Sequence, residues 1–155
     1  MRVAFGADHA GFELKEQLIQ TAKQLGHEPV DFGTYAPESV DYPDYAEPVA
    51  RSVADGGCAL GVVICSNGVG VSITSNKVPG VRCALCHTSW GALRAREHTD
   101  ANVLAIGAWE IGRAVAEDIL QAFLTGQPEG GKHGRRRAKL EDVERRGIGA
   151  GAVSA

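Results

Sequence analysis

The sequence lacks long apolar runs and an excess of positive charge, and each absence excludes a class of protein. No stretch of the 155 residues approaches the length that a membrane-spanning helix requires. A formal net charge of −3 gives no reason to expect binding to nucleic acid. The 44% of apolar residues and 23% of charged residues are ordinary for a soluble globular protein, and the length suits one domain with a full core.

Several familiar phosphate- and nucleotide-binding motifs are also missing. The first predicted strand is not followed by the Gly-x-Gly-x-x-Gly pattern of dinucleotide-binding folds, and no Gly-Lys-Ser/Thr ending of a P-loop occurs. A small cysteine phosphatase would need an arginine six residues after its nucleophile. Val71 stands in that position relative to Cys65, which argues against this class.

Cysteine is scarce, with four residues: Cys58, Cys65, Cys83 and Cys86. No signal peptide precedes the first predicted strand, so we expect free thiols in a reducing cytoplasm. Cys83 and Cys86 have the spacing of a redox or zinc pair, but they lie in an apolar run that predicts a strand. Because residues three apart on a strand point to opposite faces, a metal or redox role for this pair is disfavoured.

Charge is unevenly distributed along the chain. Residues 1–131 carry 9 Lys and Arg against 16 Asp and Glu, whereas residues 132–155 carry 7 against 3. A basic segment on an acidic body indicates either a solvated helix or an anion clamp, and we expect residues 132–146 to form it. The sequence predicts one domain over residues 1–146, followed by a mobile glycine-rich tail over residues 147–155.

Apolar runs and helical patterns alternate along the chain. Short apolar runs predict strands over residues 2–6, 29–33, 61–65, 81–86 and 102–107. Apolar residues at helical spacing, together with the basic segment, predict helices over residues 12–25, 46–54, 69–76, 89–98, 111–125 and 132–146. This order predicts an α/β fold: a doubly wound five-stranded parallel sheet, a Rossmann-like three-layer sandwich, with a C-terminal basic helix.

Residues 61–72 contain the strongest candidate for a functional site. An apolar run ends at Cys65, and Gly68 and Gly70 then allow the backbone to turn into a helix. Strand, glycine turn and helix start together would form an anion cradle, because backbone N–H groups converge there. A thiol on the edge of such a cradle can ionise at neutral pH. Equally, Cys65 can be a buried core thiol beside a tight turn.

The ligand crevice of such a sheet lies beyond the carboxyl ends of its strands. Asp8 and His9 follow the first strand, and Cys65 follows the third, so these residues should share one edge. His98 precedes the fifth strand and should lie at the opposite edge, so it would reach a crevice only from a neighbouring molecule. Taken singly, Asp8 and His98 are weak signals, because a helix cap or a solvated histidine explains them as well.

Seven motifs follow one another between residue 6 and residue 133. They are residues 6–12 (Gly-Ala-Asp-His-Ala-Gly-Phe), 41–46 (Asp-Tyr-Pro-Asp-Tyr-Ala), 64–65 with 68–70 (Ile-Cys and Gly-Val-Gly), 75–77 (Ser-Asn-Lys), 96–98 (Arg-Glu-His), 100–104 (Asp-Ala-Asn-Val-Leu) and 130–133 (Gly-Gly-Lys-His). In this combination the chain resembles the type B ribose-5-phosphate isomerases, a family that includes the galactose-6-phosphate isomerase subunits.

The resemblance implies an aldose–ketose isomerase that interconverts ribose 5-phosphate and ribulose 5-phosphate through an enediolate. It implies neither a metal nor an organic cofactor, and it implies a homodimer with two shared active sites, a tetramer being left open. Each site would combine residues of two subunits: Asp8, His9, Tyr42 and residues 65–70 from one, and His98, Thr99 and the basic segment from the other.

The roles of the side chains follow from the same resemblance. Cys65 would be the base at carbon, and His98, helped by Asp8, would open the sugar ring. Backbone N–H groups of residues 66–70 would hold the developing oxyanion. The positions that would bind substrate are His9, Tyr42, Ser66, Asn67, Gly68, Val69, Gly70, Thr99, Trp109, Lys132 and Arg136. Of these, His9 and Arg136 match phosphate ligands of the family.

The chain departs from the family pattern at positions that would line the substrate. Ser66 and Asn67 stand where the family has Gly and Thr or Ser, and Asn67 cannot shuttle a hydroxyl proton. Thr99 replaces Asn, and Trp109 replaces a phosphate-binding Arg. Lys132 replaces a forked guanidinium with a point charge. These changes leave open the same chemistry on a tetrose, a hexose or an unphosphorylated sugar, and a non-catalytic sugar-phosphate-binding protein.

Overall fold

Alternating strands and helices pack into one sheet in a computed structural model that describes residues 1–151 and the side chains of residues 1–149. The strands are β1 (Arg2–Ala7), β2 (Glu28–Asp31), β3 (Leu60–Cys65), β4 (Cys83–Leu85) and β5 (Val103–Gly107). The helices are α1 (Phe12–Gln24), α2 (Pro43–Ala54), α3 (Val69–Ser75), α4 (Ser89–Thr99), α5 (Arg113–Thr125) and α6 (Gly131–Gly151). All strand pairs are parallel, which confirms the predicted doubly wound sheet.

The strand order, β2-β1-β3-β5-β4, reverses direction between β1 and β3. From β1 the chain moves outwards to β2, whereas β3, β5 and β4 lie on the other side. β1 and β3 pair from Val3 opposite Leu60 to Ala7 opposite Ile64. In doubly wound sheets a ligand crevice opens at such a reversal, beyond the carboxyl ends of the strands. The segments that follow β1 and β3 therefore meet at this crevice.

Two apolar clusters cover the two faces of the sheet. Val62 and Ile64 of β3 point towards α1, α4 and α5. Val63 and Cys65 point towards α2 and α3. Each fully buried aliphatic side chain contributes about 1.5–3 kcal/mol to folding. Because a shift of the strand by one residue would move every side chain to the other face, this alternation fixes the face on which each residue lies. As a result, Cys65 is held in the layer formed by α2 and α3.

Several predicted boundaries shift in the structure, and those of α2 and β4 have a local explanation. Helix α2 begins at Pro43, three residues before the predicted start, because proline at the first helical position has a suitable φ and needs no partner for its missing N–H. Strand β4 spans only Cys83–Leu85, whereas the apolar pattern predicted a strand over residues 81–86. Val81 and Cys86 lie outside the strand but are buried, so the apolar pattern extends beyond the residues that pair with β5.

Helix α6 extends beyond the basic segment. It runs for 21 residues to Gly151, so residues 147–151 continue the helix where the sequence predicted the start of a tail. Residues 152–155 lie outside the described residues, and the mobility of the tail stays a prediction. Within residues 1–151 no helix is both long and apolar enough to cross a bilayer.

A lysine of α1 is fully buried. Lys15 of α1 has 0% exposure, and its Nζ atom lies 2.5 Å from Oδ2 of Asp31 and 2.9 Å from Oε1 of Glu16. Asp31 Oδ1 accepts the N–H of Gly33 at 2.9 Å, and the carbonyl of Gly33 accepts the N–H of Ala7 at 2.7 Å. This ion pair therefore supports the end of β1, where the crevice begins.

Candidate active site

The segment after β1 forms a closed turn around the carboxylate of Asp8. Oδ1 of Asp8 accepts hydrogen bonds from the N–H groups of Ala10, at 3.0 Å, and Gly11, at 3.1 Å. The N–H of Asp8 donates to the carbonyl of Ile64 at 3.2 Å, which ties the turn to β3. The carboxylate is buried beside the strand that ends in Cys65. It closes the turn that precedes α1, but it does not cap the helix, whose N-cap residue is Gly11 and has no side-chain hydrogen bond.

His9 lies in the same turn and is oriented by a loop. Its Nδ1 atom accepts the N–H of Val40 at 3.2 Å, from the segment before α2. A neutral imidazole whose Nδ1 accepts a hydrogen bond carries its proton on Nε2. In this tautomer His9 offers an Nε2–H donor, which suits an anionic oxygen.

Cys65 ends β3 and is buried, with 3% exposure. Its Sγ atom accepts the N–H of Gly68 at 3.2 Å and lies 3.9 Å from Oδ1 of Asn67. The same Asn67 oxygen accepts the N–H of Val69 at 3.0 Å. The loop therefore curls back on the sulfur, and Asn67 is occupied in holding the loop in this shape.

Gly68 is required by this loop for two reasons. Its φ of 75° lies in the left-handed region, which residues with a side chain rarely adopt. A Cβ atom at this position would also overlap Cδ1 of Leu85 and lie 2.9 Å from the carbonyl carbon of Ile106. The hydrogen bond to Cys65 thus depends on a position that only glycine can occupy.

Tyr42 borders the loop from the start of α2. A Cβ atom on Gly70 would lie 2.7 Å from Cζ of the Tyr42 ring, so the ring rests directly on the glycine backbone. The Tyr42 side chain stays partly exposed. This close approach places a phenol at the edge of the Cys65 loop.

Trp109 follows β5 on the other side of the loop. Its backbone N–H donates to the carbonyl of Ser66 at 2.9 Å, whereas the residue as a whole is 76% exposed. The neighbouring Glu110 pairs with Nε2 of His87 at 2.9 Å. The backbone of Trp109 is therefore tied to the Cys65 loop, and its exposed indole is a large uncharged surface.

A second group of predicted site residues lies around the end of α4 and the start of α6. The rings of His98 and His133 stack with centroids 4.0 Å apart and planes 9° from parallel. Burial lowers the pKa of His133, and the positive charges of His98, Lys132 and Arg136 lower it further, against the opposing effect of Glu129. Lys132 and Arg136 are exposed beside this stack.

The structure does not bring the two groups together within one chain. Cys65 ends β3, whereas Asn102, four residues after His98, accepts the N–H of Gly61 at 2.9 Å near the start of β3. A strand rises about 3.3 Å per residue, so the two ends of β3 are roughly 16 Å apart. His98 and Thr99 therefore lie at the opposite edge of the sheet from Cys65, as the strand order predicted.

Two arginines that the sequence did not single out as site residues hold the chain just after His98. Arg82 donates from Nε to the carbonyl of Asp100 at 2.9 Å and from Nη2 to its Oδ2 at 3.1 Å. Arg96 donates from Nη1 to Oδ1 of Asp100 at 2.7 Å and to the carbonyl of Ala101 at 2.7 Å. Arg96 at least belongs to a motif, but Arg82 is 18 residues from its partner and carries no signal in the sequence.

Cys83 and Cys86, which have the spacing of a redox or zinc pair, lie on opposite faces of the sheet. Cys83 packs with the cluster on the α2 and α3 face and Cys86 with the opposite cluster, as strand geometry predicted. Burial raises the pKa of Cys83 to about 12 and that of Cys86 to about 11. Both thiols therefore stay protonated at neutral pH, which disfavours redox or metal chemistry between them.

Comparison with known proteins places the chain in a family. The Ribose/Galactose Isomerase family model matches residues 3–140. Ribose-5-phosphate isomerase B of Escherichia coli is 41% identical over 145 residues, covering 94% of this chain and 97% of the relative. Ribose-5-phosphate isomerase B of Mycobacterium tuberculosis is 44% identical over 148 residues, covering 94% of this chain and 91% of the relative.

Solved structures that resemble this chain are also type B ribose 5-phosphate isomerases. Ribose-5-phosphate isomerase B of Clostridium thermocellum superimposes with a TM-score of 0.92 and 44% identity, covering 94% of this chain and 99% of that one. The type B ribose 5-phosphate isomerase of Trypanosoma brucei gives 0.89 and 43%, covering 92% and 98%. The chain therefore belongs to the ribose/galactose isomerase family, as its motifs predicted.

Proposed function

We propose that this protein interconverts ribose 5-phosphate and ribulose 5-phosphate. The observation that carries the proposal is the hydrogen bond from the N–H of Gly68 to the sulfur of Cys65, beside Asp8 at the reversal of strand order. The sulfur of Cys65 would serve as a base at the crevice where doubly wound sheets bind their ligands. The relatives named ribose-5-phosphate isomerase B support the choice of ribose 5-phosphate.

In this proposal Cys65 moves the proton between the two carbon atoms. The thiolate takes the proton from C2 of the open-chain sugar, the electron pair of that bond forms the C1=C2 double bond, and charge develops on O1. Within residues 66–70, the N–H groups of Gly68 and Val69 already donate to Cys65 and Asn67, so the N–H groups of Ser66, Asn67 and Gly70 would stabilise this enediolate oxygen. Return of the proton to C1, with the O2 proton passed to O1, then gives the ketose.

Ring opening needs a second acid–base group, and we assign it to His98 of a neighbouring subunit. The separation of roughly 16 Å along β3 keeps His98 of the same chain out of the Cys65 crevice. A homodimer with two shared sites resolves this separation, and a tetramer built from such dimers would do so equally. Asp8, at the edge of the crevice, assists the proton transfer at the ring oxygen.

The phosphate would lie between the two subunits. Nε2–H of His9 would contact it from one subunit, and Lys132 and Arg136 would contact it from the start of the partner's α6. Tyr42 and Thr99 border the same space from the two sides. This arrangement gives the basic segment its role as an anion clamp and assigns it no part in binding nucleic acid.

A different sugar substrate is the second candidate, and Trp109 favours it. The residue is 76% exposed at the edge of the Cys65 loop, where the family pattern has a phosphate-binding arginine. An indole provides stacking rather than charge, so a tetrose, a hexose or an unphosphorylated sugar would undergo the same chemistry. A non-catalytic binding role leaves the contact between Gly68 and Cys65 without a purpose.

The proposed proton transfers use side chains and backbone N–H groups, and we assign no metal or organic cofactor to them. We place the protein in the cytoplasm, because its four free cysteines suit a reducing compartment.

A panel of pentose, tetrose and hexose phosphates and free sugars tests the proposal. The purified protein should convert ribose 5-phosphate to ribulose 5-phosphate and exchange the C2 proton of the sugar with deuterium from the solvent. Conversion of another sugar with a higher kcat/KM would establish the second candidate. Specific binding of sugar phosphates without conversion or exchange of any of them would establish a binding protein.

A further inference from the structure

A cluster of metal-binding side chains lies outside the Cys65 crevice. It comprises His98 at the end of α4, Glu129 before α6 and His133 in the first turn of α6, and one ligand atom of each lies within 4.8 Å of the other two. The N–H of Glu129 donates to the carbonyl of Glu97 at 2.8 Å, so the backbone holds Glu129 next to the residue that precedes His98. His133 is buried, whereas His98 is partly exposed and the side chain of Glu129 is 47% exposed.

We propose that His98, Glu129 and His133 form a binding site for a zinc-like divalent ion. Two histidines and one glutamate are a donor set that zinc accepts, with a fourth position left for water. Zinc bonds of about 2.0–2.1 Å place two tetrahedral ligands about 3.3 Å apart. Nε2 of His133 and Oε2 of Glu129 are already 3.5 Å apart, so one edge of the coordination shell is preformed.

The ring of His98 completes the site by leaving its stack on His133. A metal ion lies in the plane of each imidazole that binds it, and two planes 9° from parallel and 4.0 Å apart cannot share one ion. The partly exposed His98 ring has space to turn about its side-chain bonds, whereas the buried His133 ring is held against Glu129. Metal binding therefore moves His98 away from the position that it has in the stack.

The surrounding charges select the type of ion. Lys132 and Arg136 oppose any cation near His133, and the carboxylate of Glu129 offsets only part of their charge. Binding must therefore come from coordination by imidazole nitrogen, which favours zinc, cobalt and nickel. Magnesium and calcium prefer oxygen ligands and should not bind here.

Occupancy of this site would inhibit the enzyme, and this consequence, unlike the site itself, rests on the proposed function. His98 is the proposed ring-opening group, and a metal ion takes the nitrogen that transfers the proton. The ion would act as an inhibitor that removes His98 from the catalytic set.

Titration of the full-length protein with cobalt(II), read by its visible absorption, tests the site. We expect absorption bands typical of tetrahedral cobalt(II), which should saturate at one ion per chain. The near-ultraviolet charge-transfer band of a cysteine ligand should not appear. Addition of zinc should abolish the bands, whereas addition of magnesium should not. Glu129→Gln should weaken binding by more than about tenfold. The matched control is His87→Gln, which removes a histidine from the exposed pair with Glu110 and should leave binding unchanged.

Absence of such bands, or equal cobalt binding by the wild type and Glu129→Gln, would overturn the site. Glu129 is exposed, so this variant should keep the native circular dichroism spectrum and melting temperature. In the activity assay zinc should inhibit the wild type and have much less effect on Glu129→Gln, whose activity without zinc should be near that of the wild type. Inhibition that persists in Glu129→Gln would show that zinc acts at another position, such as Cys65, and would contradict the proposed inhibition. The cobalt titration tests the site even if the protein isomerises no sugar.

Discussion

The N–H of Gly68 donates a hydrogen bond to the sulfur of Cys65 across 3.2 Å. A donor aimed at sulfur interacts more strongly with a thiolate than with a thiol, because the acceptor then carries a full charge. The contact is possible only because Gly68 adopts a φ of 75°, which turns the loop back onto the end of β3. This short local arrangement is the basis of the proposed carbon chemistry.

Replacing Cys65 with alanine should abolish isomerisation and leave the fold intact. General base catalysis contributes about 10²- to 10⁴-fold to a rate, so kcat should fall at least a hundredfold. The measurement is exchange of the C2 proton of ribose 5-phosphate with deuterated solvent. Cys58→Ala is the matched control, since Cys58 is equally buried in the same apolar cluster and should retain exchange. Exchange at the native rate by Cys65→Ala would show that another group is the base.

Mixing two inactive variants should restore activity if the sites are shared. In a dimer of one Cys65→Ala and one His98→Ala subunit, one of the two sites contains both native residues. Random exchange makes half of the dimers mixed, so the mixture should regain about a quarter of the wild-type activity. Native mass spectrometry reports the exchange of subunits. If mixed dimers form and stay inactive, His98 does not act across the interface.

Replacing Trp109 with arginine should improve the use of ribose 5-phosphate. A charge-assisted contact to phosphate contributes about 1.5–3 kcal/mol, so KM should fall by about tenfold or more. Trp90→Arg is the control, because Trp90 is a second exposed tryptophan, 69% exposed on α4, to which the proposal assigns no contact with substrate. If Trp109 packs on another sugar, its replacement should harm activity on that sugar and improve activity on ribose 5-phosphate. Unchanged kinetics on every sugar would exclude Trp109 from the site.

Adding a methyl group at Gly70 should displace the Tyr42 ring. The new Cβ atom would lie 2.7 Å from Cζ of Tyr42, well inside van der Waals contact. We expect Gly70→Ala to raise KM for the substrate severalfold, and a crystal structure of the variant should show the moved ring. Gly112→Ala is the control, because no atom lies within 4 Å of its Cβ position. A native KM in Gly70→Ala would mean that Tyr42 does not contact substrate.

Replacing Asp31 with alanine should destabilise the protein strongly. The change leaves the buried ammonium of Lys15 with only Glu16 as a partner, and breaking a buried ion pair costs about 3–5 kcal/mol. Urea denaturation should show a loss near the lower end of that range. Glu47→Ala, which removes an exposed partner of Arg51, should change the free energy of unfolding by less than about 1 kcal/mol. Equal effects of the two changes would contradict a buried ion pair at Lys15.

The local pattern of the chain was enough to predict the sheet and the Cys65 loop. Apolar periodicity and glycine turns act over about ten residues, so strands, helices and the turn after Cys65 can be recognised without knowing what they contact. The rule that parallel strands share a carboxyl edge then placed Asp8 beside Cys65 and His98 at the far edge. Boundaries were less certain, as the early start of α2 at Pro43 shows.

Contacts between distant segments could be known only from the folded chain. Lys15 meets Asp31 across 16 residues, Arg82 meets Asp100 across 18, and His98 stacks on His133 across 35. Each contact depends on how a helix docks on the sheet or on another helix, and no local periodicity encodes that choice. Buried charge is hidden for the same reason: a lysine reads as a surface residue until the fold supplies carboxylates that compensate its burial.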